Sequence, residues 1–311
     1  MGTEARGDLG EMVWIPEGEF LMGSDSHYPE ESPVREARVD GFWMDETAVT
    51  NGAFQEFVEE TSYVTVAERP PDPEMFPGAD PAQLVPGSIT FFRPPGPVDM
   101  GNPAAWWRWT PGANWRHPWG PDSDIEGKEG HPVTQVSWED VDSYARWAGK
   151  EIPREADWER AARGGLEQAE FAWGDELSPG GKERMNRWIG EFPWEFTPES
   201  EGFVPDTMPV RTFPPHDFGL FEITGNAWEW TKTWFGTDPD AQKSTSCCGV
   251  LEASREPGSG IPRKVLKGGS FLCAENYCSR YRPAARIPQT LDSATCHTSF
   301  RCIKRDPGPH T

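Results

Sequence analysis

Glycine and proline are the residues that most constrain the fold of this chain. Each occurs 32 times among 311 residues, so together they supply about a fifth of the sequence, against roughly 12 % in an average globular protein. Gly gives the backbone extra freedom and Pro removes a backbone donor, so both residues interrupt regular structure. The sequence therefore predicts a folded but turn-rich protein, and it excludes long helical bundles.

Aromatic residues can stabilise such a loop-rich chain. The sequence contains 16 Trp and 17 Phe, and each of these side chains buries a large apolar area that offsets the entropy of ordering loops. No internal repeat, low-complexity linker or shift in composition marks a boundary. We therefore predict one domain over residues 11–305, flexible termini at 1–10 and 306–311, and a flexible insertion at 238–262.

Only a few segments have the pattern of regular elements. Apolar residues at helical spacing predict three short helices, which run from Thr50 to before Tyr63, from Ser137 to Gly149, and from Pro153 to Gly164. The second helix starts with a sequence of the capping-box type. Residues 13–23 hold two short apolar segments on either side of Pro16, which predicts a β-hairpin.

Charge and hydropathy limit the partners of the protein. It has 29 basic and 51 acidic residues, a net charge of −22, which repels phosphate backbones and anionic membranes and favours basic peptides. No apolar run reaches the roughly 18 to 20 residues of a membrane span, and residues 1–11 lack a hydrophobic signal core. We expect a cytoplasmic protein that binds neither nucleic acid nor membranes. Six Cys residues are too few for a disulfide scaffold.

Several common sites are absent from the sequence. It has no phosphate-binding loop, dinucleotide fingerprint, His-Glu-x-x-His or Gly-x-Ser-x-Gly motif. The six His residues lie apart, at 27, 117, 131, 216, 297 and 310, so we predict no histidine metal site. We expect these side chains at the surface or hydrogen-bonded in the core.

The pair Cys273 and Cys278 is the main candidate for chemistry. The two residues are five positions apart, just after Gly268-Gly269, so both sulfurs can reach one soft ion or form a disulfide. Cu(I) accepts two thiolates, whereas structural Zn²⁺ needs four ligands. From spacing alone, two inert buried thiols are an equal alternative.

Other motifs surround this pair. They are Gly225–Trp230, Lys267–Ser270, Arg282–Arg286 and Phe300–Cys302, together with the segments 15–23, 46–51 and 153–159. In these motifs the sequence resembles the formylglycine-generating enzymes, the sulfatase-modifying factor family, over residues 11–304. The Cys pair after Lys-Gly-Gly-Ser is the part specific to the oxidase, and the other motifs occur in a wider superfamily.

The resemblance implies a fold and an activity. The fold is α+β and loop-rich, a variant of the C-type-lectin-like fold with little regular secondary structure. The activity is the copper-dependent conversion, with O₂, of a Cys in a Cys-x-Pro-x-Arg segment to Cα-formylglycine. The partners are then an unfolded sulfatase polypeptide and O₂, and we expect a monomer.

The resemblance also assigns roles to residues. Cys273 and Cys278 would hold Cu(I), while Ser270, Tyr277 and Trp228 match active-site positions. Ser270 could equally be a turn hydroxyl, and the two aromatic residues could be core residues. Arg286 matches a position near the peptide groove, where an Arg can also pair with local carboxylates.

Structural Ca²⁺ is implied at two places. The first set is Asn186 and Glu201 with the backbone at Arg187 and Phe203, and the second is Glu222 and Glu229 with the backbone at Gly225 and Ala227. Such oxygen ligands suit Ca²⁺. Solvated acidic turns are the alternative, since Glu201 stands where Asp is common and Glu222 where Asn is common.

The sequence departs from the family near the Cys pair. Between the two Cys residues, Glu275 and Asn276 replace a cation and its neighbour. The pair Thr298-Ser299 lacks the Gly that is usual in the family. Both departures affect the expected peptide preference. Cys247, Cys248 and Cys296 match no catalytic position. Two further functions remain open, an ergothioneine-type iron sulfoxide synthase, which the scattered His residues argue against, and a lectin-like binding module without catalysis.

Overall fold

Short elements separated by long irregular connections make up the fold. The computed structural model describes residues 11–73, 80, 84–198, 204–236 and 251–305. Its helices are α1 (Asn51–Thr61), α2 (Trp138–Trp147) and α3 (Glu155–Ala162). Its strands are β1 (Met12–Ile15), β2 (Gly18–Met22), β3 (Arg35–Val39), β4 (Phe42–Asp45), β5 (Gly87–Phe91), β6 (Trp107–Pro111), β7 (Trp228–Trp234), β8 (Arg263–Lys267), β9 (Arg286–Thr290), β10 (Thr298–Ser299) and β11 (Ile303–Lys304). The predicted α+β, loop-rich class is confirmed. The predicted flexible termini and most of the predicted insertion lie outside the described residues.

The three predicted helices are confirmed. The Thr50 hydroxyl accepts a hydrogen bond from the Ala53 amide at the start of α1, and Ser137 forms a reciprocal capping box with Asp140 at the start of α2. Such caps satisfy amides that have no partner within the helix. The third helix starts two residues later than predicted, because Arg154 is its extended N-cap residue.

The predicted N-terminal hairpin is wrong. β1 pairs with β4, and β2 pairs with β3, both antiparallel. Only Pro16 and Glu17 separate β1 from β2. A two-residue hairpin turn matching the strand twist needs positive φ angles, and the proline ring fixes φ near −65°. The chain therefore passes from one sheet into another at this point.

Both ends of the described chain meet on β4. This strand is the centre of a three-stranded sheet with the order β1-β4-β11. Met44 pairs with Val13 on one side and with Ile303 on the other.

A second sheet positions the cysteine pair. Its strand order is β10-β7-β8-β9, and the segment between β8 and β9 contains both Cys residues. The segment begins with Gly268 and Gly269, whose φ angles are 95° and 74°. A Cβ atom on Gly269 would lie 2.9 Å from Tyr281 Cα, so this turn requires glycine. The turn directs the Cys segment back across the end of the sheet.

Aromatic side chains pack beneath that segment. Phe91, Trp188 and Phe192 form a group with ring centroids 5.2 to 5.7 Å apart, and Phe271 and Leu272 are buried in the same cluster. Ring pairs at such distances stabilise a fold beyond the area that they bury. The aromatic residues thus give the Cys segment a rigid base.

A buried ion pair joins distant parts of the chain. Arg301 and Glu229 are both almost fully buried, and the Arg301 side chain donates to both carboxylate oxygens of Glu229 at 2.8 to 2.9 Å. The guanidinium also donates to the backbone carbonyls of Glu46 and Phe221. One side chain therefore links β7 to two loops.

No helix in the described parts of the chain is long and apolar enough to cross a membrane.

His216 makes stability depend on pH. Its Nε2 lies 2.9 Å from the Ala161 carbonyl, and its Nδ1 accepts a hydrogen bond from the Phe218 amide. These bonds require the neutral ring, and burial lowers the pKa of His216 to about 4. Below pH 6.5 the unfolded chain binds a proton here that the folded chain does not. Acidification towards pH 4 therefore destabilises the fold.

As the pH falls from 6.5 towards 4, we expect His216 to lower the free energy of unfolding by up to about 1.4 kcal/mol per pH unit. Urea denaturation between pH 4 and 6.5 measures the effect. His216→Gln will show a shallower pH dependence, and His27→Gln, at an exposed histidine, is the control. An unchanged dependence in His216→Gln would contradict this prediction.

Candidate active site

A cavity lies over the Cys segment, at the end of the second sheet. Its volume is about 460 Å³. Side chains from the Cys segment, from β9 and from several other parts of the chain line it, and they include Trp107, Phe192, Trp228, Glu256, Ser270, Cys273, Tyr277, Cys278, Arg280, Gln289 and His297. Tyr277 at this wall is 38 % exposed. The cavity is therefore accessible from the surface.

The two thiols meet in this cavity. The sulfur atoms of Cys273 and Cys278 are 3.4 Å apart, and both residues are reduced. Backbone bonds from the Cys273 amide to the Ser270 carbonyl and from the Cys278 amide to the Ala274 carbonyl wind the segment into turns. These turns bring residues five positions apart onto the same side. The structure thus places the predicted sulfur pair at an accessible surface.

The two thiols differ in their electrostatic surroundings. Burial and the neighbouring sulfur raise the pKa of Cys273. A hydrogen bond from Cys273 lowers the pKa of Cys278, and the Arg280 guanidinium lowers it further. Arg280 Nη1 lies 3.9 Å from the Cys278 sulfur, while Glu30 and the Tyr28 ring hold the guanidinium in place. The negative charge of the pair therefore resides on Cys278.

We expect Cys278 to be the more reactive thiol, because the thiolate is the form that reacts. In metal-free protein, iodoacetamide will alkylate Cys278 before Cys273, with a pH midpoint below that of free cysteine. Peptide mass mapping over a pH series measures both sites. Arg280→Gln will move the midpoint to higher pH, whereas Arg280→Lys, which keeps the charge, will move it less. Faster alkylation of Cys273 would contradict this assignment.

The other three predicted active-site residues also line the cavity. The Ser270 amide donates to the Cys273 sulfur at 3.3 Å. Tyr277 stacks on Phe192 with ring centroids 4.5 Å apart and planes 8° apart, and Trp228 is buried against the core. The structure brings Ser270, Tyr277 and Trp228 together with the two thiols.

Arg286 pairs with a local carboxylate, which is the alternative that the sequence left open beside a place near the peptide groove. Its Nε and Nη2 donate to the two carboxylate oxygens of Glu155 at 2.7 and 2.8 Å. The residue is buried and is not part of the cavity wall. Arg286 therefore joins β9 to α3 in this structure.

The departures near the Cys pair have structural explanations. Arg187 pairs with Glu275 at 3.0 Å, and Asn276 exchanges hydrogen bonds with the backbone of Phe192. Neither Glu275 nor Asn276 is part of the cavity wall. Ser299 lies in β10 without a positive φ angle, so no glycine is required there.

Three side chains of the predicted calcium sets, Asn186, Glu222 and Glu229, are engaged in other contacts. In the second set, Arg301 and the Trp158 indole N–H hold the Glu229 carboxylate, and Glu222 accepts the backbone amides of Arg211 and Phe213. This set does not fit a calcium site, because one of its carboxylates is already neutralised by a guanidinium. In the first set, the Asn186 amide bonds to Asn226 and the Asp206 carbonyl, and Arg187 has the acidic partners Glu183 and Glu275. Glu201 and Phe203 of that set lie outside the described residues.

The thiol pair stands apart from other metal-binding side chains. Within the described residues, no three His, Cys, Asp or Glu side chains group closely enough to hold a metal ion. Such a site suits a two-coordinate soft ion better than Zn²⁺, which takes four ligands, or an iron centre, which uses several imidazoles. Two adjacent thiols therefore fit Cu(I).

Sequence reasoning missed several polar residues of the cavity, among them Arg280 and His297. Arg280 follows Cys278 by two positions, and a basic residue beside a reactive Cys is a usable signal. His297 is a lone histidine, for which the sequence has no signal, and the fold brings it to Ser270.

Known proteins share much of this sequence and this fold. The family profile described as "Sulfatase-modifying factor enzyme 1-like domain" matches residues 1–306. The formylglycine-generating enzyme of Mycobacterium tuberculosis is 49 % identical over 299 residues, with 95 % of this chain and 98 % of the relative covered. A Bos taurus protein named inactive C-alpha-formylglycine-generating enzyme 2 is 35 % identical, with 96 % and 90 % covered. Among solved structures, PvdO from Pseudomonas aeruginosa has a TM-score of 0.59 at 19 % identity, covering 94 % of this chain and 93 % of its own, a likeness of fold alone.

Proposed function

The chain belongs to the family of sulfatase-modifying factor enzyme 1-like domains, and on this premise we propose that it oxidises a cysteine of an unfolded sulfatase polypeptide to Cα-formylglycine. The substrate is a Cys-x-Pro-x-Arg segment. The observation that carries the proposal is the reduced pair of Cys273 and Cys278, 3.4 Å apart in an accessible cavity. A relative that is 35 % identical is named as inactive, so the thiol pair carries the proposal and the resemblance does not.

Copper is the proposed cofactor. Cys273 and Cys278 would hold Cu(I), because two soft sulfur donors without further ligands suit this ion. When bound, Cu(I) supplies a soft site for the substrate thiolate and a redox centre for O₂.

The reaction balances with O₂ and a thiol reductant. The substrate cysteine loses two electrons and two protons to become a thioaldehyde, and water then replaces sulfur and releases H₂S. O₂ accepts these two electrons and two more from the thiol reductant, and it is reduced to water. The protein must hold one carbon of a flexible peptide at one point, for which proximity supplies much of the rate.

The cavity wall contributes to binding. Trp107, Phe192 and Trp228 give it an aromatic surface on which a peptide can pack, and Gln289 on β9 is a polar residue of the same wall. The net charge of −22 favours the approach of a segment that contains Arg. The Arg280 guanidinium balances the charge of the thiolate.

A peptide assay tests the proposal. Copper-loaded protein, O₂, a thiol reductant and a Cys-x-Pro-x-Arg peptide will give an aldehyde, detected by mass spectrometry and by hydrazide labelling. The same peptide with Ser in place of Cys is the control and will remain unchanged. Copper-loaded, folded protein that leaves every such peptide unchanged would overturn the proposal and would favour the binding module.

A further inference from the structure

His297 is a cavity residue with no role in the proposed reaction so far. It lies just before β10, and its carbonyl accepts a hydrogen bond from the Trp228 amide at 2.8 Å. Its ring packs on Trp107 with centroids 4.9 Å apart. Its Nδ1 lies 3.0 Å from Ser270 Oγ. Backbone and ring contacts therefore fix the imidazole beside the serine hydroxyl.

Ser270 connects this imidazole to the thiol pair. Its amide donates to the Cys273 sulfur at 3.3 Å, and its Oγ accepts the Leu272 amide at 3.2 Å. The Cys273 amide donates in turn to the Ser270 carbonyl at 2.9 Å, and both residues line the cavity. The hydroxyl and the Cys273 sulfur therefore belong to the same turn of the cavity wall.

We propose that His297 is a positioning residue that orients the Ser270 hydroxyl towards Cys273. With the proton on Nδ1, the imidazole donates to Ser270 Oγ. This oxygen then accepts two hydrogen bonds, one from His297 and one from Leu272, so its own proton is free to point at the Cys273 sulfur. The role of His297 in turnover rests on the proposed function, whereas the hydrogen bond itself does not.

The imidazole acts as a neutral group. Burial lowers the pKa of His297 to about 3, so the ring stays uncharged at neutral pH. The other titratable groups that line this cavity are Glu256, Tyr277, Arg280 and the two thiols. A neutral ring has one N–H, so its tautomer decides which way the hydroxyl points.

Nitrogen NMR tests the hydrogen bond without any turnover. In histidine-labelled protein, metal-free and loaded with diamagnetic Cu(I), His297 will show the Nδ1–H tautomer, and Ser270→Ala will shift its Nδ1 resonance. The Nε2–H tautomer, or a resonance that Ser270→Ala does not move, would overturn the proposal. These outcomes hold even if the protein oxidises no peptide.

A double-mutant cycle tests the role in turnover. His297→Phe will lower kcat about tenfold with KM changed less than about twofold, the size expected for one buried hydrogen bond. In the Ser270→Ala background, the same change will lower kcat less than about twofold, because the two residues act together. His297→Asn, which keeps a donor, will recover most of the activity.

A matched variant separates this role from general stability. His131 Nδ1 lies 3.0 Å from Thr207 Oγ1, the same type of bond outside the cavity wall, and His131→Phe will keep kcat within about twofold. Wild-type turnover in His297→Phe, or an equal loss with and without Ser270, would overturn the role of His297. If the parent protein gives no aldehyde, the proposed function fails. The NMR measurement of the His297 tautomer then still tests the hydrogen bond to Ser270.

Discussion

Cys278→Ser will abolish aldehyde formation, lowering turnover by at least about 10³-fold, as expected when one member of a catalytic unit is removed. Serine preserves the size of the side chain but is a hard, neutral donor in place of a soft thiolate. The low pKa of Cys278 places the negative charge of the pair there, so its loss removes both a ligand and that charge. Cu(I) affinity, measured by competition with a chromophoric chelator, will fall in parallel with turnover of the peptide.

Cys302 offers a matched control for this substitution. It is a fully buried free thiol of the core that does not line the cavity. Cys302→Ala will keep both Cu(I) affinity and turnover within about threefold, at a stability cost of about 1 kcal/mol for the lost packing. Full turnover in Cys278→Ser, or equal losses in both variants, would contradict the assignment of the sulfur pair.

Arg301→Ala will produce the largest loss of stability, about 3 to 5 kcal/mol in the free energy of unfolding. The substitution leaves the buried Glu229 carboxylate without its counterion, and such an uncompensated buried charge is costly. It also removes one hydrogen bond to each of the backbone carbonyls of Glu46 and Phe221. Urea denaturation at neutral pH, with an unchanged m-value, measures the effect.

An exposed arginine gives the comparison for Arg301→Ala. Arg38 lies 3.7 Å from Glu19, and both side chains are more than 60 % exposed. Arg38→Ala will cost less than about 0.5 kcal/mol, since exposed ion pairs contribute little after solvent screening. Similar losses in the two variants would show that burial of the Arg301 pair has no special cost.

Local features of the fold were predictable from sequence, and non-local ones were not. The α1 and α2 starts depend on a cap and on apolar spacing within a dozen residues, so the sequence predicts them directly. The partner of β1 is β4, about thirty residues away, and the link through Pro16 permits the two strands on either side of it to join different sheets.

The same distinction applies to the site. The spacing of Cys273 and Cys278 is local, so the meeting of their sulfurs could be expected. The sequence shows that Arg286 is basic but not where its side chain points. That direction is set by Glu155, 131 positions earlier. His297 reaches Ser270 only because β10 lies beside β7 in the sheet.

The central place of β4 has a consequence for synthesis of the protein. β1 can pair with β4 early, but the opposite edge of β4 has no partner until β11, at the end of the described chain, leaves the ribosome. The nascent chain therefore carries an unpaired strand edge through most of translation, which is a known aggregation risk. Both terminal strands lie against β4, so a short peptide can join residues near 11 and 305. We therefore expect the chain to accept circular permutation, with new ends opened in an exposed loop.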